Sequence, residues 1–368
     1  MKTGHRDDIR HMRHALRLAE RGLGDVAPNP SVGCVIVSRD GRVVGRGWTQ
    51  TGGRPHAETV ALAQAGEQAR GACVYVTLEP CAHHGQTPPC ANALIAAGVS
   101  RVVGAISDPD PRVAGAGFAR LENAGIEVTR GVLEAEAGAL NHGFFKRVTE
   151  GRPMVALKIA QSADGYVADA HGNSKWITGE RARAHGHLMR AKHDAILVGL
   201  GTVLADDPAL TCRLPGLESR SPTRIVLDSK LQIPAGSQLV RTAKERPVIV
   251  FTTAKDGGEA LSATGVQIER VAADKEGRPD VAVVLQTLGN RGLTRVLVEG
   301  GPAIHAAFLK RNLADMIHIY RAPLLIGEGG RPAIASFGKV PLNAGPRLKL
   351  LERTLLDPDI LESFALTV

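Results

Sequence analysis

His56, Cys81 and Cys90 can supply one nitrogen and two thiolates to a single metal ion, and using them together restricts how residues 56–90 can fold. "HAETVALAQAG", from His56, reads as a helix with small apolar residues along one side, and "ACVYVTLEP" as a short buried strand. "CANALIAAGV", from Cys90, reads as a second helix behind two prolines. Each candidate ligand falls at or near a predicted helix start, where the positive end of the helix dipole favours a thiolate.

A catalytic zinc site usually takes three protein ligands and leaves its fourth position to water, and this set has that composition. Two thiolates bring Zn²⁺ near neutrality, so water on it still ionises, with a pKa lowered to about 7. Glu58, two residues after His56, can reach that water rather than the metal, take a proton from it and pass it to a leaving amine. A structural zinc, the plainer reading of the same ligands, has no use for such a base. His-x-Glu alone carries no information; with Pro-Cys and a second Cys it points to chemistry. Cys34 and Cys73 lie within apolar strands and read as core thiols. His83 and His84 read as facing substrate or solvent.

Around this segment the order of predicted elements is α-β-β-α-β-α-β-α, a mixed sheet covered by helices. It opens with a helix over 7–20 that Gly22 ends, followed by "PNPSVGCVIVSRDGRVVGRGW" as strand, Asp-Gly turn and strand. At Gly151 and Pro153 the pattern restarts, and 368 residues suggest two cores, so we expect domains at 1–150 and 151–368. The second repeats strand-loop-helix units in "MVALKIA", "AILVGLGTV", "RIVLDS", "PVIVFTT" and "RVLVEGGPAIHAAFLK". "GLGTVLADDP" lacks the third glycine of the dinucleotide fingerprint. "VEGGP" is more informative: a strand, two glycines and a proline at a first helical turn present backbone N–H groups to an anion, although a simple tight turn reads the same way.

The charge of +8 divides as +2 for residues 1–150 and +6 for the rest, without a Lys/Arg run, and aromatics are only 3%. Both observations speak against nucleic acid and suit a phosphorylated small molecule equally well. With no apolar leader and no run long enough for a membrane helix, a cytoplasmic protein without membrane partners is expected.

The zinc motif resembles that of the zinc-dependent nucleobase and nucleoside deaminases, H-x-E with P-C-x-x-C. It departs from them in placing eight residues, "AHHGQTPP", between the cysteines. The fuller wording, "NPSVGCVIV", "HAET", "TLEPCAHHGQTPPC", "ALIAAGV" and "DPDP", is similar to the deaminase half of the bifunctional riboflavin-biosynthesis deaminase/reductases, the RibD family. That resemblance implies deamination of 2,5-diamino-6-ribosylamino-4(3H)-pyrimidinone 5′-phosphate, with His56, Cys81 and Cys90 on Zn²⁺ and Glu58 catalytic.

"LKIAQSADG", "SKWIT", "GTVLADDPALTCR", "IVLDS" and "VEGGP" resemble the reductase half, which is similar in fold to dihydrofolate reductase. Where that family usually reads Ser-Leu-Asp-Gly, this chain has Ser162-Ala163-Asp164-Gly165. The resemblance implies an α/β chain with a cytidine-deaminase-like α/β/α domain first and a dihydrofolate-reductase-like domain second. It further implies reduction of the ribosyl group to ribityl with NADPH. It sets NADPH against Ala160, Trp176, Thr202, Asp206, Ser229 and the turn of Gly301, Pro302, Ala303, Ile304, His305, Ala306 and Ala307. It sets substrate against Ser174, Arg190, Leu210, Arg213 and Glu299. Arg190 and Arg213 can fork onto a 5′-phosphate, and Lys158 or Asp206 can assist ring opening or protonation. A homo-oligomer is compatible with the sequence. The rival readings are a different nucleotide deaminase fused to an unrelated dehydrogenase, and a basic RNA-binding protein with a structural zinc.

Overall fold

The computed structural model describes residues 5–83, 88–110, 114–336, 338, 341 and 345–367. His84 lies outside them. The chain divides into two compact units, Met1–Gly151 and Arg152–Val368.

The first unit runs α1 (His5–Ala19), β1 (Gly33–Val37), β2 (Val43–Trp48), α2 (Ala57–Ala65), β3 (Cys73–Val76), α3 (Cys90–Ala96), β4 (Arg101–Gly104), α4 (Ala116–Asn123), β5 (Glu127–Thr129), α5 (Glu134–Leu140) and α6 (His142–Glu150). Its sheet has the order β2-β1-β3-β4-β5, antiparallel at β1–β2 and β1–β3 and parallel beyond. The mixed sheet is as expected, and β5, α5 and α6 extend the expected order. Alternation along β1 gives the unit two cores. Cys34 and Ile36 join α2, α3 and α4 through Ala57, Ala61, Leu94 and Phe118, while Val35 and Val37 join α1 through Met12, Ala15 and Leu16.

Helix α2 lies unusually close to β2, which explains the run of alanines. A Cβ on Gly47 would stand 2.1 Å from the Ala57 carbonyl oxygen, and one on Gly45 2.3 Å from that of Ala61. Only small residues on both surfaces allow this approach, and it sets the position of the α2 N-terminus.

The second unit contains β6 (Met154–Gln161), β7 (Tyr166–Ala168), α7 (Glu180–Ala191), β8 (Ala195–Gly199), α8 (Leu200–Asp206), β9 (Thr223–Leu227), α9 (Gln238–Arg241), β10 (Val248–Thr252), α10 (Glu259–Ala263), β11 (Gln267–Arg270), α11 (Val281–Asn290), β12 (Arg295–Val298), α12 (Pro302–Lys310), β13 (Met316–Arg321), β14 (Arg331–Pro332), β15 (Arg347–Leu356) and β16 (Asp359–Thr367). Nine strands form one sheet in the order β11-β10-β9-β8-β12-β6-β13-β16-β15. The first seven are parallel and the β15–β16 hairpin is antiparallel. Adjacent residues of β8 again serve opposite cores, Ala195 and Leu197 on one face and Ile196 and Val198 on the other. "AILVGLGTV" runs from strand directly into helix. It turns helical at Leu200, because Gly199 in extended conformation caps α8. Among the described residues no helix is long and apolar enough to cross a membrane.

Candidate active sites

His56 is the N-cap of α2, Cys90 is the first residue of α3, and Cys81 lies in the loop after β3. Cys81 is therefore not on a helix, but it meets one: its Sγ accepts the Cys90 N–H at 3.3 Å, at the start of α3. His56 Nδ1 stands 3.2 Å from Cys90 Sγ and 3.7 Å from Cys81 Sγ. All three ligand atoms lie within 4.8 Å of one another. Around a tetrahedral zinc, with bonds of about 2.3 Å to sulfur and 2.0 Å to nitrogen, donors sit roughly 3.5–3.8 Å apart. The cluster fits that ion.

Hydrogen bonding from Cys90 lowers the Cys81 thiol, and the same bond raises Cys90. Glu58, in the first turn of α2, is only 4% exposed. Burial raises its carboxyl above the usual range, and it interacts with His56, Cys81 and Cys90. A carboxyl held beside three ligand atoms, and not itself among them, is placed to handle protons.

Cys34 is fully buried, as a core thiol should be, and burial raises it well above its ordinary value. Cys73 starts β3 half-buried, packed against the core on the α1 side, with Arg101 Nη1 3.8 Å from its sulfur. His83 is exposed. The sequence reading passed over Glu79, although it stands inside "TLEPC". Its buried carboxylate accepts the N–H groups of Asp108, Gly115, Gly117 and Phe118, at 2.8–3.3 Å, tying the approach to Cys81 to the start of α4. Nearby Asp108 is pushed up to about 6, mainly by burial.

In the second unit a charged cluster forms where β12 ends. Arg190, on α7, meets Glu299 fork to fork, Nε to Oε1 and Nη2 to Oε2, both 2.8 Å. Lys158, on β6, has its Nζ 3.9 Å from Glu299 Oε2 and 5.4 Å from the centre of the Tyr320 ring. Tyr320 in turn holds His185 Nδ1 at 2.7 Å. Burial alone would raise Glu299, but Arg190 and Lys158 outweigh it and bring it down to about 2. Burial lowers Lys158. The fork expected to grip a phosphate is thus engaged with a carboxylate, because the two charges bury each other. The remaining Nη1 of Arg190 donates to the Thr211 carbonyl at 3.0 Å.

The Leu210 side chain is 2% exposed and packs in the core with Ile196 and Val198, so only its backbone is available to a ligand. Arg213 is exposed and Ser174 half-buried in the loop before α7. Ala160 is half-buried on β6, Thr202 half-buried on α8, and Asp206 exposed at the end of α8. Ser229 follows β9, its carbonyl accepting the Thr252 and Thr253 hydroxyls. Trp176 is 68% exposed, with Arg183 4.5 Å above its ring. Gly301 caps α12 with Pro302 in its first turn, as the sequence suggested. The two glycines differ, however. A Cβ on Gly300 would strike Ile304 at 2.6 Å, whereas one on Gly301 would meet nothing within 4 Å, so only Gly301 leaves room for a ligand. Ala303 is exposed, Ile304 and Ala307 are half-buried and pack against the core, and His305 and Ala306 are buried.

Residues 5–106 match the cytidine and deoxycytidylate deaminase zinc-binding region, and residues 153–361 match the RibD C-terminal domain. The riboflavin biosynthesis protein RibD of Escherichia coli is 42% identical over 364 residues, covering 96% of this chain and 98% of that protein. That of Aquifex aeolicus is 43% identical over 323 residues, 88% of each chain. The chain belongs to the RibD family. RibD of Acinetobacter baumannii superposes with a TM-score of 0.88 at 41% identity, covering 99% of this chain and 100% of that one. A Thermotoga maritima structure, described as a diaminohydroxyphosphoribosylaminopyrimidine deaminase/5-amino-6-(5-phosphoribosylamino)uracil reductase, gives 0.86 at 36% identity with the same coverage. The chain is a bifunctional deaminase/reductase of riboflavin biosynthesis, with a zinc-binding deaminase region that holds the His56, Cys81 and Cys90 cluster and a dihydrofolate-reductase-like second part.

Proposed function

We propose that the first unit deaminates 2,5-diamino-6-ribosylamino-4(3H)-pyrimidinone 5′-phosphate, and that the second reduces the ribosyl product with NADPH to 5-amino-6-ribitylamino-uracil 5′-phosphate. One observation carries the first half: Glu58 is buried beside three converging ligand atoms and is not one of the three ligands. Zinc held by His56, Cys81 and Cys90 would supply an acidified water. Glu58 takes one proton from the attacking water and delivers it to the departing amino group. Water adds at the ring carbon, the carbon–nitrogen bond breaks, and ammonia leaves.

The second half is supported by the Gly301–Pro302 turn, whose open approach at the start of the nine-residue α12 suits an anionic cofactor. NADPH would supply hydride there. Ala160, Trp176, Thr202, Asp206, Ser229 and the residues from Gly301 to Ala307 would line it. Ser174, the Leu210 backbone, Arg190, Arg213 and Glu299 would face substrate. With Arg190 engaged by Glu299, Arg213 is the principal phosphate contact in this reading. Lys158, lowered by burial and lying beside Glu299, can move a proton at the ribose as its ring opens. Self-association is supported by β15, the last strand of the sheet, which exposes Leu348, Leu350, Leu351 and Leu355.

The test is product mass. Incubated with the diaminopyrimidine alone, the protein yields the deaminated ribosyl compound; with NADPH added it yields the ribityl compound. An unchanged substrate under both conditions overturns the reading.

A further inference from the structure

Between α8 and β9 the backbone crosses the site in a strained form. Asp207 and Leu210 have φ of 40° and 53°, although neither is glycine. Such conformations persist where surrounding contacts hold them, and they often mark ligand clamps. Here the contacts come from several elements. Asp207 Oδ1 accepts the Gln238 N–H at 2.8 Å, and the Ala209 carbonyl lies 3.4 Å from Arg224 Nη1. The Cys212 N–H donates to Ser221 Oγ at 2.9 Å.

The far end of this strap is fastened to α7. Thr211 O receives Arg190 Nη1, and His187 Nδ1 lies 3.1 Å from the same oxygen and 3.3 Å from the Arg213 nitrogen. His187 and Arg190 are three residues apart and share one helical face. Either neutral tautomer of His187 engages the strap: one donates to Thr211 O and the other accepts from the Arg213 N–H. The protonated ring still donates to Thr211 O. Arg190 reaches only Thr211, because its fork is held by Glu299. His187 alone among the two touches the backbone of Arg213, whose guanidinium is exposed.

We propose that His187 is a positioning residue of the reductase site, fixing the Thr211–Arg213 end of the strap so that Arg213 meets the substrate's 5′-phosphate. The inference rests on the reading of Arg213 as a phosphate contact. It predicts a loss confined to phosphate recognition, since Arg190 still anchors Thr211 when His187 is replaced.

The experiment compares His187→Leu, His187→Asn and Arg213→Ala in the full chain. Each reduces the deaminated substrate, and its dephosphorylated counterpart, at saturating NADPH. His187→Leu should raise KM for the phosphorylated substrate about five-fold, the equivalent of one hydrogen bond, with kcat retained. It should leave kcat/KM for the dephosphorylated compound unchanged. His187→Asn, whose amide can occupy the Nδ1 position, should restore KM; this also separates loss of positioning from loss of folding. Equal losses with both substrates, or a fall in kcat at unchanged KM, would overturn the inference. A phosphate-specific loss in Arg213→Ala with none in His187→Leu overturns the inference alone. No phosphate-specific loss in Arg213→Ala overturns the reading of Arg213 beneath it.

Discussion

Arg190 and Glu299, 109 residues apart, bury a two-point ion pair whose side chains are only 15% and 10% exposed. A buried pair depends on both members, because removing one leaves the other charge without compensation. Glu299→Leu should therefore destabilise the second unit by about 3–5 kcal/mol in denaturant unfolding. Arg190→Met combined with Glu299→Leu should cost clearly less than the two single changes added together. Additive costs would show that the pair is not energetically coupled.

The same carboxylate makes a pH prediction. Glu299 lies at about 2 in the folded chain against an ordinary value of 4.5, so its folded pKa is depressed. Its contribution is complete above pH 4.5 and is lost as the pH falls towards 2. It amounts to something on the order of 3 kcal/mol. Subtracting the unfolding free energy of Glu299→Gln from that of the parent, across this range, should give a difference that shrinks as pH falls. A flat difference contradicts the assignment.

Gly47→Ala tests how the first site is positioned. The added Cβ meets the Ala57 carbonyl, so α2 must shift, taking His56 and Glu58 with it. Overpacking of this kind costs about 1–3 kcal/mol. Zinc content and deamination should fall together while reduction of the deaminated substrate persists. Normal zinc affinity and turnover would separate the close β2–α2 approach from the site.

The exposed leucines of β15 make a fourth prediction. If this edge joins two copies, Leu350→Lys with Leu355→Lys should lower the sedimenting mass from a dimer to a single chain. An unchanged mass removes β15 as the interface.

The first site was legible because its chemistry is local. His56 and Glu58 share the start of one helix, and Cys81 and Cys90 flank one loop, so residue type and spacing sufficed. Strand, glycine turn and Pro302 were legible for the same reason. The Arg190–Glu299 pair was not, since tertiary packing alone joins α7 to the end of β12. That is why a phosphate was expected where a carboxylate sits. The resemblance set Leu210 against substrate, but the sequence does not tell that its side chain turns into the core and leaves only the backbone for a ligand. Cys73 read as core, and it does pack against the α1-side core, but at the start of β3 it stays only half-buried. The short β5 and the β15–β16 hairpin carry too little apolar alternation to announce themselves: β15 is exposed along almost its whole length.

Two chemistries in separate units of one chain is the central claim, and Glu58→Gln in the full-length protein tests it most directly. The variant is loaded with zinc, and both steps are followed by product mass, using the diaminopyrimidine for the first and the deaminated compound with NADPH for the second. Zinc should remain at the His56, Cys81 and Cys90 cluster, deamination should fall by at least about 10²-fold, and reduction should proceed at the parent rate. Loss of reduction in the folded, zinc-loaded variant, or deamination at the parent rate, would contradict it.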